Sequence, residues 1–346
     1  MSKKVFFKPA LGSQIGLGHA YRCISLAGML PQDFRSCVII PDNQKQYAEL
    51  FSGGMDEVRI LASFQDMRSE AENLINHCLE RGSIIVLDGY EFDVSYQQVL
   101  KDTGVFVVSV DDFGEGRFVS DVVINHGCLN PRYDLPSYTI CCTGPEYFMG
   151  RKSFREAASN KRKTVHEVTD IFVCFGGADP LDLTMPTVKT LRKMVPESAL
   201  HVVTGPDYQG LEKLSSFTVE SGRVHLYRNL DAQGMLDVMK HCQTGVVAAS
   251  SVAMEACCAG LGLLVVAYTE NQYNIASMLS QLDMAVMLTL MDYSQWPGLL
   301  LNTTSFLDPN VIQKHLASQQ QHMTDSRPRI AQVFNDLYQK SKSTAS

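Results

Sequence analysis

Short apolar, β-branched runs alternate with polar–apolar periodic segments along nearly the whole chain, and the alternation begins twice. The first series has runs at 5–8, 36–40, 58–61, 84–87 and 105–110; the second has runs at 170–174, 200–203, 224–227, 245–249 and 263–267. Each series opens with a strand-like run, a glycine loop and a helix-like segment. Strands separated by helices pair most readily in parallel, so each series predicts a set of βαβ units. A polar stretch around 157–169 divides the two. The expected fold class is α/β, with two Rossmann-like domains facing a central cleft. The expected boundaries are an N-terminal domain at 1–157, a C-terminal domain at 168–325, and a helical segment at 326–346 that can pack back on the first domain. In such folds ligands bind beyond the carboxyl ends of the strands.

Composition agrees with this plan and excludes several classes. A chain of 346 residues, 45% hydrophobic, is long enough for two full cores. The net charge of −7 gives no basic footprint, and Lys161-Arg-Lys163 reads as a solvated linker, so no nucleic-acid partner is expected. No apolar run approaches the roughly 18 residues that span a bilayer, and the start of the chain lacks a signal-peptide pattern, so a cytoplasmic protein without stable membrane insertion is expected. Ten cysteines include no Cys-x-x-Cys, and most sit in apolar runs. With no clustered His/Cys spacing, neither a metal site nor a cofactor is expected. His126, His201 and His225 lie in or beside apolar runs and read as structural histidines.

The loop after the first run is Gly12-Ser-Gln-Ile-Gly16-Leu-Gly18-His19-Ala-Tyr-Arg22-Cys23, and Ile24, Leu26, Ala27 and Leu30 follow at helical spacing. His19 then opens the first turn of a helix. Unpaired N–H groups and the positive dipole end favour an anion there and disfavour a protonated imidazole. A neutral imidazole can serve as general base. Gly16 and Gly18 let a ligand approach the turn, although the same glycines also suit a plain βα loop with His19 incidental.

Other strand ends carry further candidates. Asp88-Gly-Tyr90 and Asp111-Asp112 end two runs of the first series with acids, suited to a ligand or to turn capping, and the chain contains no Asp-x-Asp of the metal-dependent sugar-transferase kind. In the second series Gly176-Gly177-Ala-Asp179 is a tight turn or a ligand loop. Ser250 or Ser251 would cap the next helix start, whose N–H groups suit a diphosphate. Glu255, one turn on, would take ribose hydroxyls or simply face solvent. Asn271 and Gln272 offer amides to sugar hydroxyls, or begin an ordinary helix.

Gly16-Leu-Gly-His19-Ala-Tyr-Arg22, Asp88-Gly-Tyr90, Val110-Asp-Asp112, Phe175-Gly-Gly-Ala-Asp179, Ser250-Ser-Val-Ala-Met-Glu255 and Glu270-Asn-Gln272 occur in an order that resembles the UDP-sugar hydrolases of pseudaminic acid biosynthesis, a group within the GT-B superfamily. The similarity runs over about 6–282. It implies a GT-B fold, a UDP-sugar substrate, no metal, and His19 as the base that activates water against the anomeric carbon. It further implies a nucleotide site at Gly176, Gly177, Ser250, Ser251 and Glu255, and substrate contacts at Gly16, Gly18, Arg22, Tyr90, Asp112, Asn271 and Gln272. The chain departs from the family at Met254, where Asn is frequent, and at Gly150-Arg-Lys-Ser-Phe154.

The alternative of another class is a GT-B glycosyltransferase that passes the sugar to an acceptor, for which Leu11, Ile15 and Leu17 would supply an apolar docking patch. A binding protein that holds UDP without turnover is a third. Nothing in the sequence sets the oligomeric state.

Overall fold

The computed structural model describes residues 3–12, 17–160 and 163–345. The chain forms two compact units: Met1–Lys152 with Ser326–Ser346, and Ser153–Asp325.

Nine strands lie in the first unit among the described residues: β1 Lys3–Pro9, β2 Phe34–Pro41, β3 Glu57–Leu61, β4 Ile84–Asp88, β5 Phe106–Val110, β6 Glu115–Arg117, β7 Val122–Asn125, β8 Arg132–Asp134 and β9 Ile140–Thr143. Seven form one parallel sheet in the order β3-β2-β1-β4-β5-β7-β9, and β6 pairs with β8. β1, the first strand in sequence, thus lies inside the sheet, and the chain winds outward from it in both directions. The switch falls between β1 and β4, where Pro9 pairs with Asp88. That register brings the loop after β1 beside the end of β4. β4, β5 and β7 are buried along their whole length, as strands covered by helices on both faces must be. The helix Arg327–Ala345 belongs to this unit. Ile330, Val333, Phe334 and Leu337 fall on one helical stripe and enter the core that contains Val5, Phe7, Leu26 and Phe34. Ser326 starts that return by donating its hydroxyl to the Phe148 carbonyl at 2.6 Å.

The second unit repeats the plan with β10 Asp170–Cys174, β11 Ala199–Thr204, β12 Val224–Arg228, β13 Thr244–Ala248, β14 Gly262–Ala267 and β15 Val286–Thr289, paired in parallel in the order β12-β11-β10-β13-β14-β15. Its switch lies between β10 and β13, two strands followed by glycine- or serine-bearing loops. Trp296, the single tryptophan, is fully buried in this core and donates its indole N–H to Thr187 Oγ1 at 2.8 Å. The helix Lys152–Ala158 lies almost wholly in this unit, so the division comes before the boundary at 157 expected from the sequence.

Candidate functional site

The helix Gly18–Ala27 is the first after β1, and its first turn presents His19. His19 Nδ1 lies 2.6 Å from Asp88 Oδ1. A carboxylate only accepts, so Nδ1 carries the proton in this pair; in the neutral tautomer with that proton the lone pair is on Nε2. Arg22 Nη2 also lies 3.1 Å from Nδ1, but both groups are donors in this tautomer, so the two share Asp88 Oδ1 rather than bond each other.

Arg22, one helical turn after His19, ties together two carboxylates from neighbouring strands. It takes Asp88 in a fork, Nε to Oδ2 at 2.8 Å and Nη2 to Oδ1 at 2.5 Å. It reaches Asp112 with Nη1 at 2.5 Å from Oδ1 and Nη2 at 3.1 Å from Oδ2. Such charge-assisted forks fix geometry as well as energy. Burial raises the Asp88 carboxyl, but the Arg22 charge and the bonds from Arg22 and His19 outweigh it and hold it below the usual carboxylate range. Asp112 is held well down by the same guanidinium against the same burial. Arg22 is kept charged by Asp112 and Asp88 despite its own desolvation.

Asp111 and Asp112 divide their work. Asp111 Oδ2 accepts from Gly114 N at 2.7 Å, Asn125 Nδ2 at 2.9 Å and Tyr133 OH at 2.6 Å, which pins the loop after β5. Asp112 is thereby turned towards Arg22, and its Oδ2 also accepts from Tyr90 OH at 3.0 Å. The Tyr90 ring stands edge-on to His19 at 5.2 Å and lies 4.9 Å from Phe113. Tyr90 and Phe113 are both exposed, so they wall the approach to His19.

His19, Arg22, Tyr90 and Asp112 therefore lie together, with Asp88, which the sequence left as a strand-end acid, bonded to His19 and Arg22. Topology supplies the missing signal, since a switch between β1 and β4 puts the residue ending β4 beside the helix after β1. Gly16 and Ile15 lie outside the described residues. At Gly18 a Cβ would meet nothing within 4 Å, so no crowding requires glycine there. Leu11 is buried and offers no docking surface, whereas Leu17 and Tyr21 are 39% and 47% exposed. His126 is buried, edge-on to Phe148, and burial followed by the Arg22 charge pushes it down to about 4.

In the second unit the remaining candidates gather at the carboxyl ends of three adjacent strands, β10, β13 and β14. Gly176 has φ +89, and Asp179, at φ 42, accepts the N–H groups of Leu183 at 3.0 Å and Thr184 at 2.8 Å, so a strained turn leads into the helix Thr184–Met194. Ser250 occupies the N-cap of the helix Ser251–Ala259, yet its hydroxyl makes no capping bond, contrary to the expected cap. Its backbone carbonyl instead takes the Ala253 N–H at 2.9 Å, so the serine side chain engages none of the N–H groups at that helix start. Glu255 is buried, which overturns the solvent-facing alternative. Gln272 Oε1 takes the Tyr268 N–H at 3.0 Å and Asn271 Oδ1 takes the Thr269 hydroxyl at 2.7 Å, so both amide oxygens also shape their own helix start. Met254 and Phe154, at the two departures, are fully buried.

Similarity to solved structures agrees with this double Rossmann plan. MurG of Acinetobacter baumannii superposes with a TM-score of 0.69 at 13% identity, covering 96% of this chain and 99% of that one. Phytolacca americana UGT2, complexed with UDP-2fluoro-glucose and pterostilbene, gives 0.61 at 10% identity, covering 97% and 99%. The chain has a GT-B fold. Within that fold its sequence resembles the UDP-2,4-diacetamido-2,4,6-trideoxy-beta-L-altropyranose hydrolase of Campylobacter jejuni, 24% identical over 285 residues, 80% of this chain and 96% of the relative. No protein-family model matches the chain. Among the described residues no helix is long and apolar enough to cross a membrane. In this GT-B chain the His19 constellation belongs to the first Rossmann-like unit and the Ser250 and Gly176 loops to the second.

Proposed function

We propose that this protein hydrolyses a UDP-linked diacetamido-trideoxy sugar to UDP and free sugar, in the cytoplasm and without a catalytic metal, for the biosynthesis of a nonulosonic acid or related surface glycan. The observation that carries the reading is the His19–Asp88 pair, 2.6 Å apart, a contact that supports a neutral ring protonated on Nδ1 and so a basic role for Nε2. The relative's activity supports the choice of substrate class and of water as acceptor.

The chemistry asks little of the protein beyond placement. Water attacks the anomeric carbon and passes a proton to His19 Nε2 as its oxygen bonds to carbon. The bond from that carbon to the diphosphate oxygen breaks, and its electron pair leaves with UDP. Asp88 holds the imidazolium that forms, while Arg22 keeps Asp88 ionised and oriented. We assign the departing diphosphate to the N–H groups of the Gly176–Gly177 turn and the Ser251 helix start, and the ribose to Glu255. Tyr90, Asp112, Asn271 and Gln272 are assigned to the sugar.

The decisive experiment follows UDP release from UDP-linked acetamido sugars in oxygen-18 water with EDTA and no acceptor, comparing wild type with His19→Ala. Hydrolysis puts label on the anomeric oxygen, and His19→Ala lowers the rate by about a hundredfold or more. Exposed Leu17 and Tyr21 beside His19 favour one second reading, a glycosyltransferase with an apolar acceptor. Binding of UDP-sugar without release until an acceptor is added would establish it and refute the hydrolase.

A further inference from the structure

A second cluster of titratable side chains lies in the second unit, towards the amino ends of its strands, at the opposite end of the sheet from the Gly176 and Ser250 loops. Asp170 opens β10, His201 is the third residue of β11, and His241 ends the helix Ala232–His241 that precedes β13. Asp170 pairs with Ala199, so His201, two residues further on, stands diagonally from it on the same face. His201 Nε2 lies 2.8 Å from Asp170 Oδ1, and His241 Nε2 lies 3.3 Å from the same oxygen. All three ligand atoms fall within 4.8 Å of one another. Tetrahedral zinc with bonds of about 2.0–2.2 Å sets its ligand atoms roughly 3.3–3.6 Å apart, so small side-chain adjustments suffice.

The surroundings of these atoms are those of ligands held in place. Thr169 Oγ1 donates to the other carboxylate oxygen of Asp170 at 2.7 Å, and Gln243 Oε1 accepts the Asp170 backbone N–H at 2.8 Å. The Tyr227 hydroxyl lies 3.2 Å from His201 Nδ1, so an Nδ1–H has an acceptor when Nε2 binds a metal. His225 stacks on His201 with centroids 5.0 Å apart and fixes the ring plane. A partnered second nitrogen and a hydrogen-bonded carboxylate are the supporting contacts that metal ligands use. The Lys163 ammonium, held by the Lys240 and Cys242 carbonyls, adds a nearby positive charge that moderates the affinity.

We propose that Asp170, His201 and His241 bind one divalent first-row transition ion of the zinc class, with solvent completing its shell. Two imidazoles and one carboxylate suit such an ion. Bound there, the ion would link the end of the helix Ala232–His241 to β10 and β11. The inference is independent of the role given to His19. Its ligands are too far apart in sequence to form a local motif, which is why His201 reads there as an ordinary core histidine.

The test uses the full chain, freed of metal with a chelator and titrated with Zn2+ against a chromophoric competitor, then with Co2+ for its absorption spectrum. One equivalent of Zn2+ is expected to bind and to raise the thermal midpoint. His241→Ala, at a side chain 65% exposed and so tolerant of truncation, and Asp170→Asn are expected to abolish both effects. Tyr227→Phe is expected to weaken binding by roughly tenfold or more. Unchanged binding in His241→Ala, absence of a stoichiometric equivalent in wild type, or an intense thiolate–Co2+ band that places the ion on cysteine would each overturn the site.

Discussion

Asp88→Asn is the most informative single substitution in the first unit. An amide in place of the carboxylate no longer requires the proton on His19 Nδ1, so Nε2 ceases to be the obligatory acceptor. Turnover is expected to fall by about a hundredfold or more, while UDP affinity, assigned to the second unit, stays unchanged. Steady-state kinetics and a UDP titration check this; equal loss of both would make Asp88 a folding residue only. His126 gives a pH signature of a different kind. Its folded value of about 4 lies below the ordinary 6.5 because burial, then Arg22, disfavours the cation. The unfolded chain therefore takes up the proton first as pH falls. His126 does not weaken the native state above 6.5, and its destabilising effect grows from 6.5 down to about 4, reaching about 2 kcal/mol at pH 5. Denaturant unfolding at pH 7 and 5 is expected to show this loss, reduced in His126→Gln. An unchanged pH slope in that variant would remove His126 as the cause.

Loops at strand ends carry the candidate nucleotide site, and their closeness can be tested directly. A Cβ on Gly205, just after β11, would stand 2.2 Å from the Gly177 carbonyl oxygen in the loop after β10. Backbone cannot swing aside as a side-chain tip does, so Gly205→Ala must displace the Gly177 turn. A cost of about 1–3 kcal/mol is expected by Trp296 fluorescence, with weaker UDP binding by titration. Wild-type UDP affinity in that variant would detach the turn from the nucleotide. These loops also show how far sequence carries. Strand and helix alternation follows from residue periodicity, and the GT-B fold was legible from it together with the ordered motifs. The pairing of Asp88 with His19 was not, because it depends on which strands become neighbours. Nor was the division between Asp111 and Asp112, which chain spacing cannot separate and which Asn125 and Tyr133 decide from strands further on. Ser250 looked like a cap because serine caps often, and backbone geometry left its hydroxyl out of that role.

At the scale of the molecule, the first unit is discontinuous in sequence, since its last helix arrives after the whole second unit has been traversed. Its core therefore depends on residues that add nothing to its sheet. Phe334 is fully buried among side chains from the first strands and helices of that unit. Phe334→Ala is expected to cost about 3–5 kcal/mol, a large part of the 5–15 kcal/mol that holds a domain together. Trp296 makes the consequence separable, because the only tryptophan lies in the other core and its fluorescence reports the second unit. In Phe334→Ala the far-ultraviolet circular dichroism midpoint is expected to fall ahead of the fluorescence midpoint, splitting the unfolding curve. If both midpoints instead fall together, the two units unfold as one cooperative body; if neither moves, the returning helix contributes little. On the proposed function, a split curve would also predict which activity fails first on mild denaturation: the turnover assigned to His19 is expected to be lost while the UDP binding assigned to the second unit persists.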